Sequence, residues 1–463
     1  MPVVPSSLDA LLFLFAGAFS APTFQTFRML VVGFVCRVGE HSVCGMLQGA
    51  RLERVWHHSR AHAFFAYRKW CPEELGLLLV DFLVAAFVPR DAPIRLAVDD
   101  SLFGRSGKQV YGAAWQYDGS QSSGQGPKIG YGNNWVILTL IVRLPFMERA
   151  VSVAVLQRLW QPDPQAKAKH KDERKRKREP NPEYPSKSEL GRQLLDVVAA
   201  RFPARNIELV GDSAYATKAM RGLDERVCLT SRLKSNAKLF APKPPPTGKR
   251  GQPAKKGNRL PKPGQIADDP TTAWKQVEMA RSGKRQTVAV HVFEALFYDV
   301  WAERPVQVVL VRGPNRNTGY DIALISMNMT ATAAEIIEFY DQRWSIEVCI
   351  EDAKQITGVG QARNRVQKAV ERTVPFGLLC QALTVTWYTI NGQAEHDVQH
   401  RRQRARWYTH KRCPSYQDML SSLRRATIAA QYLPVTPRTP NTQETRRPAP
   451  ALKAAAGLTA KLE

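Results

Sequence analysis

The sequence predicts an α/β core, interrupted by a β-rich insertion and flanked by helical N-terminal and C-terminal regions. Three observations carry that expectation. Two short, β-prone apolar runs, Ile94 to Asp99 and Ile207 to Asp212, each finish in aspartate. From Trp274 to Ser326 the pattern turns to β, in runs rich in Val and other branched residues. From Ala331 to Val359 the spacing becomes helical, but one stripe is charged where an apolar stripe is the rule.

Residues 1–92 read as helical. Leu8 to Phe19 and Phe24 to Val38 are apolar-rich, and Glu73 to Phe87 forms a further helical pattern after Cys71-Pro72. Between them Arg51, Arg54, His57, His58, Arg60, His62, Arg68 and Lys69 interleave with Trp56, Phe64, Phe65, Tyr67 and Trp70. Two readings stand. Such a mixture grips phosphates and stacks on bases, making this an N-terminal DNA-binding domain. Alternatively the rings are the core of a helical bundle and the cations are its wet surface. The histidines have no Cys or carboxylate at ligand spacing, which argues against zinc.

The core is expected over residues 93–231. Ile94 to Asp99 is its first strand, Gln109 to Tyr117 a second and Trp135 to Leu144 a third, with Gly119 to Gly132 as the turn. Residues 161–188 form a basic excursion that includes His170 to Arg178 and suits DNA-backbone contact or plain solvation. Glu189 to Arg201 is a helix, Ile207 to Asp212 a strand and Val227 to Arg232 another. Three strands, a helix and a further strand is the order of an RNase H-like core. Residues 232–330 comprise a Lys-, Pro- and Gly-rich loop, Lys234 to Asp269, then the β-rich insertion with strands at Gln286 to Val292, Pro305 to Val311 and Tyr320 to Ser326. Trp274 and Trp301 suit either a DNA end or the interior of the sheet. Residues 331–360 form the charged helix and 361–432 a helical C-terminal region, with a basic Arg401 to Trp407 stretch. Residues 433–463, rich in Pro, Thr and Ala, read as a disordered tail.

Composition narrows the class. The 463 residues carry 66 Lys and Arg against 41 Asp and Glu, a net charge of +25, which points to a polyanionic partner. Seven cysteines make no CxxC pair and read as thiols of a reducing compartment. Leu11 to Phe19 is too short to span a bilayer, so no membrane anchor is expected and the cytoplasm is the default location. There is no Gly-rich P-loop, which argues against ATP-driven chemistry.

On the charged helix Tyr340, Arg343, Glu347 and Lys354 are spaced three, four and seven apart, with Glu351 between the last two. At 3.6 residues per turn they share one stripe. A solvated face of ion pairs is the ordinary meaning of such charges. Asp99 and Asp212, each ordinarily a turn or cap residue, change that meaning when taken with Glu347. Carboxylates from separate elements can converge on metal ions.

In this order and spacing, Asp99, Asp212 and Glu347 within the Tyr-Arg-Glu-Lys pattern resemble the DDE transposases of bacterial insertion sequences. The resemblance is to the branch with a β-rich insertion before the glutamate helix, and it covers most of residues 93–360. It implies Mg²⁺-dependent cleavage and transfer of DNA strands by two ions, for which Mn²⁺ may substitute, held by Asp99, Asp212 and Glu347. Arg343, Lys354 and Tyr340 would bind DNA phosphates, although Tyr340 suits packing equally. Asp100 remains an alternative to Asp99 as first ligand, because side chains alternate along a strand. The implied partners are the element's terminal inverted repeats, target DNA and a second copy of the chain, in a bacterial, nucleoid-associated setting. A structure-specific nuclease or recombinase on the same core, and a non-catalytic DNA-binding protein, are the rival readings.

Overall fold

A computed structural model describes residues 3–118, 129–164, 181–245, 254–281 and 284–432. The centre of the proposed basic excursion, most of the turn from Gly119, part of the loop after Lys234 and the tail from residue 433 lie outside these.

The chain opens with α1 (Ser6–Leu12), a 3₁₀ turn at Phe13–Ala18, α2 (Ala21–Cys36), α3 (Val43–Gly49), α4 (His58–Ala66) and α5 (Pro72–Phe87). Pro72 at the first helical position and Glu73 and Glu74 in the first turn start α5 as the helix dipole favours. The strands follow: β1 (Ile94–Gly104), β2 (Ala114–Tyr117), β3 (Ile129–Val142) and β4 (Val151–Trp160). Next come α6 (Lys187–Arg201), β5 (Ile207–Gly211), β6 (Val227–Arg232) and α7 (Pro263–Asp268). The insertion supplies β7 (Lys275–Arg281), β8 (Lys284–Leu296), α8 (Tyr298–Trp301), β9 (Pro305–Arg312) and β10 (Ile322–Ser326). Last are α9 (Ala333–Gln342), α10 (Trp344–Gln355), α11 (Gln367–Asn391), α12 (Ala394–Arg404) and α13 (Tyr416–Tyr432).

All the strands join one mixed sheet, ordered β2-β3-β1-β5-β6-β10-β9-β8-β7, with β4 also on β3. Within it β4-β3-β1-β5-β6 is the RNase H-like unit: β1, β5 and β6 run parallel and β3 is antiparallel to both β1 and β4. This revises the expected strands. Gln109 to Tyr117 contributes only the short β2, and the third long strand is β4, whose alternating Val151, Val153 and Val155 went unread. The insertion is no separate sheet, because β10 pairs with β6 and carries the ladder outward through β9, β8 and β7.

The segment after β6 is also more structured than a loop. Leu239 and Ala267 are buried, and Phe240 bridges to Arg259 and Leu296 with Lys256 over its ring. Trp301 is core, donating its indole N–H to the Thr217 carbonyl, and Trp274 lies under the Arg312 guanidinium.

The helices at the two ends pack together. Most residues of α11 are buried, and its Phe376 meets Phe27, Phe34, Phe64 and Phe65 from the N-terminal helices. From the same helix Arg372 donates to the carbonyls of Phe65, Arg68 and Trp70 and stacks over the Trp70 ring. Phe64, Phe65, Trp56 and Trp70 are therefore core, while Tyr67, Arg54, His57, His58, Arg68 and Lys69 are exposed. Among the described residues no helix is long and apolar enough to cross a membrane, and the cysteines are free thiols.

Candidate active site

The site lies where β5 stops and β1 goes on. The parallel ladder ends at Val98 opposite Gly211, so the next residues along, Asp99 and Asp212, come side by side. β1 does not end at its acids, as the apolar run suggested; pairing with β3 carries it to Gly104, so Asp99 and Asp100 are mid-strand. The Asp212 carboxylate accepts the Ala214 N–H and closes a tight turn, with a 3₁₀ turn at Lys218–Met220 beyond.

Alternation along β1 separates the two acids. Asp100 turns to the α6 face, where Lys187 Nζ lies 2.5 Å from its Oδ2. A capping box of Ser186 and Glu189 fixes the first turn of α6 and so the placement of Lys187. Asp99 turns to the α10 face, where Arg343 Nη1 lies 3.6 Å from its Oδ2. The geometry distinguishes two neighbours that alternation alone left interchangeable.

The charged helix is interrupted. α9 starts on a capping box of Thr332 and Glu335, and the α-helical ladder breaks at Arg343, with tighter bonds from Arg343 N–H to the Tyr340 carbonyl and from Ile346 N–H to the Arg343 carbonyl. α10 then runs over β1 and β4. The four stripe residues still converge. Arg343 Nη2 reaches Glu347 Oε1 at 2.6 Å, Lys354 Nζ donates to Ser101 Oγ at 2.7 Å, and Tyr340 is half-buried with the Arg343 guanidinium 5.8 Å from its ring centre. Glu351 leaves the group, accepting from Gln355 on the exposed side.

The electrostatics follow from this crowding. Burial pushes the Asp99 carboxyl up to about 7; repulsion from Asp212 and Asp100 adds to it, while the Asp100 N–H and Arg343 oppose it. Burial alone would lower the Arg343 guanidinium, but Glu347, Tyr340 and Asp99 outweigh it and hold it above its ordinary value. Burial lowers the Lys354 ammonium and raises the Tyr340 phenol.

Three further participants went unread. Lys187 closes the expected basic excursion. Tyr215, four residues into the Asp212 motif, is buried with its hydroxyl unpartnered and its phenol raised first by burial and then by Asp100, Asp99 and Asp212. Arg232 ends β6 close enough to Tyr340 to act on its phenol. An aspartate three positions before a tyrosine was the only signal for Tyr215.

Asp99, Asp212 and Glu347 make an all-oxygen, anionic donor set, which suits hard divalent cations. Two of the acids adjoin through β-register, and the third is tied to them by a guanidinium that already answers negative charge. The residue types therefore fit a divalent metal. They are not drawn into a closed cage, however: among the described residues no group of three His, Cys, Asp or Glu side chains is close enough to hold an ion.

Comparison with known proteins places most of the chain in one family. Residues 14–293 match a family model described as DDE superfamily endonuclease, a span that includes both aspartates and ends before Glu347. No curated protein matches the chain.

Proposed function

The chain belongs to the DDE superfamily endonucleases, and from that premise we propose that it is a transposase of an insertion sequence, cutting and joining DNA strands at the ends of its own element. One observation supports the reading above the others. β1 and β5 put Asp99 beside Asp212, and Arg343 links Asp99 to Glu347, so three acids distant in sequence are joined in one run of contacts.

In this reading Asp99, Asp212 and Glu347 would hold two Mg²⁺ ions, with Mn²⁺ able to replace them. When bound, such ions activate an attacking water or DNA 3′-hydroxyl and stabilise the leaving oxygen at phosphorus. The protein's own groups position the DNA. Arg343 presents a planar fork to a phosphate and Lys354 a point charge, both from within a partly buried site where charge is weakly screened. Tyr340 donates its hydroxyl to a phosphate oxygen, or braces the helix through its ring. Asp100, paired with Lys187, stays out of the metal set. The partners are the terminal inverted repeats, target DNA and a second copy of the chain on paired ends, at the bacterial nucleoid.

The test is cleavage of a labelled duplex carrying the element's terminal sequence, with and without Mg²⁺, by wild type, Asp212→Asn and Glu347→Gln. Cleavage by wild type alone, followed by joining to a second duplex, is expected. Cleavage without joining would make the protein a structure-specific nuclease. Equal cleavage by Glu347→Gln would end the proposed role of the helix.

A further inference from the structure

We infer that Arg343 is a resident substitute for metal, holding Asp99 and Glu347 until DNA phosphate draws its guanidinium away. The inference rests on the reading that Asp99, Asp212 and Glu347 are the metal-binding acids.

Position comes first. Arg343 Nη2 is 2.6 Å from Glu347 and Nη1 is 3.6 Å from Asp99, so one guanidinium spans the two acids that the β1–β5 register does not itself unite. Its side chain is only 15% exposed, which keeps the contacts from being screened as surface pairs are. A cation entering between these carboxylates meets one already there.

The second observation is geometric. No three acids among the described residues stand close enough to enclose an ion, although Asp99 and Asp212 are neighbours in register. Glu347 is the member held by Arg343, through Oε1, and carried by the helix that starts after Arg343. A metal taking that oxygen would compete with Arg343 for it.

The third is that Arg343 keeps unused donor capacity. Its Nε is buried without a partner, and Tyr340, which both Arg343 and the exposed Arg232 are close enough to influence, lies beside it. A phosphodiester arriving there offers oxygens to the planar fork that Glu347 occupies at present. A guanidinium cannot serve both partners fully. Metal and DNA then help each other to bind, and linkage requires the help to be equal in both directions.

The experiment is Mn²⁺ binding followed by the electron paramagnetic resonance of the free ion, on the full chain, with and without a duplex of the terminal sequence. Wild type, Arg343→Ala, Arg343→Gln, Arg343→Lys and Glu347→Gln are compared, each checked for folding by circular dichroism. Without DNA, Arg343→Ala or Arg343→Gln is expected to bind Mn²⁺ roughly tenfold more tightly than wild type, and Arg343→Lys by a smaller factor. With DNA, wild type should gain affinity while the neutral variants change little. Unchanged or weaker Mn²⁺ binding by folded Arg343→Ala and Arg343→Gln would overturn the inference. If Arg343→Ala does not fold, Arg343→Gln decides. Glu347→Gln tests the underlying reading separately, with DNA present: should it then bind Mn²⁺ as wild type does, Glu347 is wrongly assigned to the metal.

Discussion

Asp99 is expected to cost the protein stability at neutral pH, and the cost is measurable without any substrate. Its side chain is 22% exposed and its carboxyl is pushed up to about 7 from an ordinary 3.8, first by burial and then by Asp212 and Asp100. Between those two values the folded protein keeps a proton that the unfolded chain has released. Stability must therefore fall as pH rises from about 4 to about 7, and stay low above that. Three units at roughly 1.4 kcal/mol each set a ceiling of about 4 kcal/mol, and partial exposure makes about 2–3 kcal/mol the working figure. Asp99→Asn removes the titration and nearly preserves the shape. Urea unfolding of both proteins in metal-free buffer, at about pH 4, 6 and 8, gives the difference directly. The variant should gain little at the lowest pH and most at the highest. Added Mg²⁺ should stabilise wild type more than the variant at about pH 8. A difference that is flat with pH, or that favours wild type as pH rises, would refute the reasoning.

Other outcomes follow from the same geometry. Asp100→Asn should leave measurable strand cleavage where Asp99→Asn leaves none, because Asp100 faces Lys187 and not Arg343; a gel assay of end cleavage checks this, and the opposite order would exchange their roles. Arg372→Met should destabilise by roughly 3 kcal/mol or more in urea, since three carbonyls of the α4–α5 connection lose their donor. Gly76→Ala should cost about 1–3 kcal/mol by the same assay, because a Cβ there would come within 2.3 Å of the Val155 carbonyl oxygen on β4.

What was legible in the chain was what neighbours in sequence decide. The apolar runs around Asp99 and Asp212, the helical stretch from Glu189 to Arg201 and the spacing of Tyr340, Arg343, Glu347 and Lys354 are local patterns, and strands and helices form over them. Pairing is not local. β1 outlasts its apolar run because β3 lies alongside, and the rings of Phe64, Phe65 and Trp70 are core because they pack on one another, on Phe19 and Phe27, and on α11 three hundred residues away. The turn after Asp212 and the interruption at Arg343 each depend on one or two hydrogen bonds that no periodicity records. Lys187 was invisible as a partner of Asp100 for the same reason: α6 and β1 meet only in the folded sheet.

The unbroken ladder from β6 to β7 has an evolutionary consequence. α9 lies across it, with Ile336 and Ile337 packed against Met279, Val288, Val309 and Leu324. The insertion is thus the bed of α9, the helix that leads through Arg343 into α10 and Glu347. Its strands could not be trimmed, duplicated or exchanged between relatives as a free module without removing the support of α9, so diversification should be confined to the connections and kept out of the ladder. Homologous chains that lack these strands would have to hold their third acid by some other support.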